Sequence, residues 1–338
     1  MDSERSSAST RSHSTGDIPA FIVRGLRFAV VLLVVYAATI VVTSRVTAYP
    51  QYLARLTNLQ PVTAPGQAFL AFQEVMNHEK VDIVFIGSSH AYRSFDPRVF
   101  AREGLSTFNL GTRAQTPLNS YFLLKEYIGT LRPKLVIFET YPIILGNDGR
   151  ESSLDLVNDL PLSWSLARMA AASWDVSVWN KLFLRWIGPD LPAVSDRAEI
   201  LPTTDTYVGR GYVEKDPRFV DSRPFQPESV TVSNDQVKYL ERSIDMLRDQ
   251  GIQVVLVVTP LPRQTVAGIL NYDDVSREQA DLAARAGVLY LDFNLGGQLD
   301  LDRAYFYDSH HLHQSGVELF LDKLILDLRA RGLVPQVS

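Results

Sequence analysis

The sequence predicts a doubly wound α/β domain, with five parallel strands, helices on both faces and one helical insertion, preceded by a single apolar helix. Three observations predict it. Short runs of Val, Ile, Leu and Phe recur without the apolar–polar alternation of a half-exposed strand, as expected where both faces of a parallel sheet are covered. Segments with helical periodicity separate these runs. An uncharged apolar stretch, "FAVVLLVVYAATIVVT", lies close to the N-terminus.

The first residues, "MDSERSSASTRSHSTGD", are Ser-rich and hold almost no large apolar side chain, so 1–20 reads as a disordered cytoplasmic tail. Phe28 to Thr43 alone makes a helix of about 24 Å, short of a ~30 Å hydrocarbon layer. Extended back to Phe21, with Arg24 and Arg27 snorkelling, 21–45 is long enough to anchor the chain in a lipid bilayer. Arg5, Arg11, Arg24 and Arg27 precede the stretch, and Arg45 and Arg55 follow it. The positive-inside rule then places the N-terminus in the cytoplasm and the main domain outside. A cleaved signal peptide ending near "VTA" (46–48) sends that domain the same way, whereas a core helix buried in protein does not.

Residues 46–80 read as a connector broken by Pro50, Pro61 and Pro65, with a helix in "GQAFLAFQEVMNHEK". From 81 to 335 the alternation is regular. "VDIVFIG" (81–87) and "STFNLG" (106–111) are strand candidates, "PLNSYFLLKEYIGTL" (117–131) a helix and "KLVIFET" (134–140) a third strand. The insertion, about 142–232, contains all four tryptophans. Trp179, Leu182, Phe183 and Trp186 fall at helical spacing and read as the packed face of a helical lid. A helix at 234–251 shows Val237, Leu240, Ile244 and Leu247 on one face and Gly251 at its end. "IQVVLVVTP" (252–260) and "VLYLDFN" (288–294) complete the strands; 274–287 and 315–332 are helical.

The bulk numbers exclude some classes. A net charge of −5 offers no basic field for nucleic acid. The absence of cysteine excludes disulfides, thiolate catalysis and Cys-ligated zinc.

In doubly wound sheets, sites form beyond the carboxyl ends of the strands. After the first strand comes "GSSH" (Gly87 to His90), where a Gly at a tight turn exposes a serine beside free backbone N–H groups. After the second comes "NLG" (Asn109 to Gly111). Before the last helix comes "DSHH" (Asp308 to His311). Ser89, His311 and Asp308 supply a nucleophile, a general base and an orienting carboxylate. His90 follows the nucleophile directly and either lines the cleft or packs. Arg93, Asn109 and Glu139 sit where they can bind substrate, and an ion pair or a helix cap accounts for Arg93 or Glu139 equally well. A metal group of Asp308, His310, His311 and His313 is also conceivable by residue type. No spacing such as His-Glu-x-x-His supports it, so neither metal nor cofactor is expected.

The order of these blocks resembles the SGNH (GDSL-type) hydrolase superfamily over about 81–335, outside the insertion. The resemblance implies a flavodoxin-like strand order, Ser89 as nucleophile with Ser88 in place of the family's Asp, Gly111 as an oxyanion donor, and Asp308 with His311 completing the triad. The family's third block, Gly-x-Asn-Asp, is replaced by "ETYP" after strand three. Asn147 of the later "GND" is the candidate for the missing oxyanion donor. The "GSSH…NLG…DxxHL" form is similar to membrane-anchored members that move or remove acyl groups on envelope polymers. It implies an envelope polysaccharide or other acylated glycan as substrate and, for transfer, a separate multi-span membrane protein supplying the acyl group. The alternative is a non-catalytic module of the same fold that binds glycan or a partner protein.

Overall fold

The computed structural model describes residues 17–45, 66–77, 80–188 and 201–336. Of the expected 1–20 tail, 1–16 lie outside these residues, while Asp17 to Ala20 already belong to a helix; of the expected 46–80 connector, 46–65 and 78–79 lie outside them. The chain divides into two units, 1–60 and 61–338.

The first unit carries helix α1, Asp17–Arg45. Its stretch Pro19–Ser44 is 26 residues, about 39 Å of helix, long and apolar enough to cross a membrane. A signal sequence has the same features. Phe21, Leu26, Phe28 and Leu33 are exposed on its surface. Thr39 and Thr43 return their hydroxyls to the carbonyls of Val35 and Thr39, so they add no unbonded polar group.

The second unit is built on a five-stranded parallel sheet and includes the short helices α2 Gln67–Val75 and α10 Arg263–Gly268. Its strands are β1 Ile83–Ile86, β2 Thr107–Asn109, β3 Leu135–Glu139, β6 Gln253–Val258 and β7 Leu289–Asp292. They lie in the order β2-β1-β3-β6-β7, the flavodoxin-like order 2-1-3-4-5 counted over the five. β1 pairs with both β2 and β3, with Ile83 opposite Thr107 on one side and Leu135 on the other. The order reverses at β1/β3, the switch point at which open α/β sheets hold their sites.

Successive strand residues point to opposite faces, and each face has its own core. Val84, Ile86, Val136, Phe138, Val254 and Leu256 pack beneath α5 (Pro117–Leu131), α9 (Asn234–Asp249) and α11 (Tyr272–Ala286). Ile83, Phe85, Leu135, Ile137, Val255 and Val257 pack beneath α3 (Ser89–Ser94), α4 (Pro97–Arg102) and α12 (Gln314–Ala330). This two-sided burial is why the strands read as continuous apolar runs.

The insertion contributes helices α6 Arg150–Asp159, α7 Trp164–Ala172 and α8 Val176–Ile187, and a hairpin of β4 Asp205–Gly209 and β5 Tyr212–Lys215. The hairpin was not foreseen from the sequence; Gly209 and Gly211, both at positive φ, make its turn. Leu156, Val157, Leu166, Met169 and Val178 join the core of the first face. Buried Arg185 donates to the carbonyls of Val157, Asn158 and Leu160 at 2.7–2.9 Å, closing the carbonyl end of α6.

The tryptophans correct an expectation. Trp164, Trp174 and Trp186 are 83%, 84% and 72% exposed, and Trp179 is also exposed. Trp164, Trp179 and Trp186, with Leu162, Leu182 and Phe183, line an apolar groove of about 590 Å³. Helical spacing puts Trp179, Leu182, Phe183 and Trp186 on one face of α8, but that face is only partly covered: Leu182 and Phe183 are half-buried and Trp179 Nε1 donates to Ala170 O at 2.5 Å, while Trp186 stands open.

Candidate active site

The "GSSH" turn is built by β1 delivering the chain into α3. Gly87 stands at φ 149°, and a Cβ there would lie 2.7 Å from Glu139 Cβ, so only glycine fits. Ser88 is the N-cap, in extended backbone, and its Oγ accepts from the His90 N–H at 3.2 Å. Ser89 is the first helical residue. Its N–H therefore has no carbonyl within the helix to bond.

The two serines part company here. Ser88 is buried, and both its N–H (2.8 Å) and its hydroxyl (2.7 Å) donate to Glu139 Oε2. Ser89 is half-buried, and its Oγ lies 2.8 Å from His311 Nε2. His311 Nδ1 in turn lies 2.8 Å from Asp308 Oδ2. Hydroxyl, imidazole and carboxylate thus stand in one hydrogen-bonded line across residues 222 positions apart in the chain.

The loop carrying the last two is closed by a bridge between Phe306 and Leu312 and by the His313 N–H donating to Tyr305 O at 2.7 Å. Within it, Asp308 Oδ1 accepts from the N–H groups of His310 (2.9 Å) and His311 (2.7 Å), leaving Oδ2 for the imidazole. Burial opposes ionisation of Asp308, but the bond to His311 and the charges of His311 and His310 hold its carboxyl well below the ordinary range. Tyr307 stacks on the His311 ring, with centroids 5.5 Å apart and planes at 8°.

Several expected substrate contacts are corrected by burial. His90 is 1% exposed and so does not line a cleft. Its Nδ1 lies 3.1 Å from Thr259 Oγ1 and its Nε2 3.2 Å from His310 Nδ1. Burial, then the neighbouring His311 and His310, push its pKa well below the ordinary imidazole value. Burial likewise lowers His310, to about 3. Arg93 bonds Asp205 of the hairpin at 2.6 Å, beneath Tyr92 and Tyr307, locking α3 to the insertion. Asn109 is buried; its Nδ2 donates to Ala91 O at 2.8 Å and its Oδ1 accepts the Gly111 N–H at 2.9 Å.

Glu139 is also buried. It accepts three donors, two from Ser88 and the Tyr141 N–H at 2.5 Å, so it holds the serine turn instead of facing a sugar. Burial raises its pKa to about 7 against those bonds. At Ser88, where the sequence resemblance implies an Asp, the turn is met by the Glu139 carboxylate from the end of β3.

On the oxyanion side, Gly111 packs where a Cβ would lie 2.7 Å from Ala91 Cβ, and its N–H must be shared with Asn109 to serve a substrate. Asn147 is a correction. Its Oδ1 accepts from the Gly149 N–H and its carbonyl from Gln236 Nε2, both at 3.0 Å. These bonds fix it in the turn before α6 instead of folding it back to Ser89. Sequence reasoning did not single out Tyr141, Thr259 or Tyr307; all three lie at strand ends or in the 306–312 loop, where the strand-end rule directs attention.

The flavodoxin-like sheet brings the three sequence blocks together at its switch point, the arrangement that the sequence resemblance implies. No family model matches the chain, and no curated protein is significantly similar to it. Solved structures similar to it include a GDSL-like lipase of Bacteroides thetaiotaomicron (11% identity, 82% of this chain and 97% of that one, TM-score 0.38). Another is a catalytic variant of an acetylxylan esterase of Geobacillus stearothermophilus (13% identity, 76% and 95%, TM-score 0.39). The functional reading rests on the site itself, not on these likenesses.

Proposed function

We propose that the chain is a membrane-anchored, serine-dependent acyl-ester enzyme acting on O-acyl groups of envelope polysaccharide or exopolysaccharide. The observation that carries this reading is the Ser89–His311–Asp308 line, with both links at 2.8 Å. Ser89 Oγ attacks the acyl carbonyl carbon as its proton passes to His311 Nε2. The Ser89 N–H, with the Gly111 N–H shared from Asn109, holds the oxyanion. His311 then protonates the departing sugar oxygen, leaving the acyl group on Ser89. Water, or a hydroxyl of a second glycan, gives its proton to His311 and takes the acyl group, and His311 returns that proton to Ser89 Oγ as the Ser89–acyl bond breaks. Water makes the enzyme an esterase; a glycan hydroxyl makes it an O-acyltransferase. Asp308 stays ionised and holds the imidazole in the required tautomer.

α1 supports the anchor, and its arginine asymmetry supports a cytoplasmic N-terminus with the site outside. In the transfer reading a multi-span membrane partner supplies the acyl group. The test is acetyl release and acetyl transfer on O-acetylated envelope polysaccharide, comparing wild type with Ser89→Ala. Loss of either activity in the variant supports the reading; equal activity in both refutes it. One observation, the engagement of the Gly111 N–H by Asn109, favours a non-catalytic glycan-binding module. That alternative requires Ser89→Ala to keep full biological activity.

A further inference from the structure

Three imidazoles meet where the serine turn touches the 306–312 loop. Ring nitrogens of His90, His310 and His311 all lie within 4.8 Å of one another. His90 Nε2 and His310 Nδ1 are 3.2 Å apart, and His311 Nε2 is 2.8 Å from Ser89 Oγ. Ligand atoms around a tetrahedral zinc ion at ordinary Zn–N lengths are separated by about 3.3 Å. We propose that His90, His310 and His311 form an inhibitory site for a divalent metal ion of the zinc class, with Ser89 Oγ or water as fourth ligand.

The far side of two rings is already arranged for this. His311 Nδ1 is held by the Asp308 carboxylate and His90 Nδ1 by Thr259 Oγ1, so each ring turns its Nε2 inward. A carboxylate or hydroxyl behind a ligating imidazole fixes its tautomer and direction. The sequence grouped Asp308, His310, His311 and His313 as candidate ligands. In the structure Asp308 stands behind His311, His313 is outside the group, and the third imidazole comes from the serine turn.

Inhibition follows from one electron pair. His311 Nε2 cannot bind a metal and also take the Ser89 proton. The hydrogen in the His90–His310 contact moves to an outer ring nitrogen when the ion binds, so no other group need ionise. This regulation rests on the proposed acyl-ester chemistry, but the metal site itself does not.

The test uses full-length protein in detergent. Calorimetric titration with zinc chloride is expected to show binding of about one ion per chain, weakened about tenfold or more in His310→Phe. Zinc should block p-nitrophenyl acetate hydrolysis by the wild type, EDTA should restore it, and His310→Phe, compared with its own zinc-free rate, should show reduced zinc sensitivity. His310→Asn, which retains a polar partner for His90, repeats the comparison should the first variant fold poorly. No binding by the wild type, or binding by either variant as tight as that of the wild type, overturns the site. His310-dependent binding in a protein without esterase activity leaves the metal site standing and removes the proposed function instead.

Discussion

At the serine turn, polar groups are buried and bonded; in the insertion, the largest apolar groups face outward. Ser88, Asn109 and Glu139 lie below 5% exposure, while three of the four tryptophans exceed 70%. Burying a carboxyl among hydrogen-bond donors is costly unless each bond is made. The turn makes them: Glu139 gathers three donors, and Asn109 ties Ala91 to Gly111. The insertion does the reverse, using Leu166, Met169 and Val178 to join the core and leaving its aromatic face open. Polar residues packed this way hold the serine turn in one conformation, whereas helical spacing alone does not tell a covered face from an open one.

Substitutions can break or sharpen this contrast. The largest effect is expected from Ser89→Ala, with a loss of about 10⁶-fold in kcat on a soluble ester, and Ser88→Ala losing far less. Equal losses would erase the distinction between the two serines. Asp308→Asn should cost about 10⁴-fold by favouring the wrong imidazole tautomer, with the fold intact by circular dichroism.

Glu139→Gln comes next. Misplacing the turn should lower kcat by about 10²-fold with little change in KM. The pH dependence gives a second readout. Glu139 has a raised pKa of about 7, so as pH falls through that value it takes up a proton and stops accepting both Ser88 donors. Activity should therefore decline on the acid side with an inflection that Glu139→Gln lacks. For stability the sign is opposite. The folded state binds this proton more tightly than the unfolded one, so the contribution is present below about 4.5 and lost as pH rises through about 7. Thermal melts across that window should depend less on pH in Glu139→Gln.

The insertion supplies the smallest effects. Trp164→Ser and Trp186→Ser should each change unfolding free energy by no more than about 0.5 kcal/mol and leave hydrolysis of a small ester unaltered. Buried Met169→Ala in the neighbouring layer should cost about 2–5 kcal/mol. A large loss from either exposed tryptophan would show that the face is covered after all.

Much of the fold was legible because burial on both sheet faces leaves a direct mark on sequence. All five strands and the helices at 117–131, 234–249, 272–286 and 314–330 stand where apolar runs and helical periodicity put them. The short helices Ser89–Ser94 and Pro97–Arg102 were not resolved as separate elements, since six residues hold less than two turns of pattern. That Ser89, His311 and Asp308 meet in space was legible because each follows a strand end or precedes the last helix. The roles of His90, Asn109, Arg93 and Glu139 were not. A polar side chain beyond a strand can turn toward substrate or toward its neighbours, and only packing decides which. Asn147 shows the same limit: its sequence motif was right for an oxyanion donor, but its bonds to Gly149 and Gln236 belong to another turn.

The central claim, that Ser89 is a nucleophile activated by His311, is tested most directly by a fluorophosphonate probe with mass-spectrometric mapping of the modified residue. The account predicts one adduct on Ser89 in the wild type, none in Ser89→Ala, and sharply slower labelling in His311→Ala. An unlabelled wild type, or equal labelling of Ser89→Ala, would contradict it.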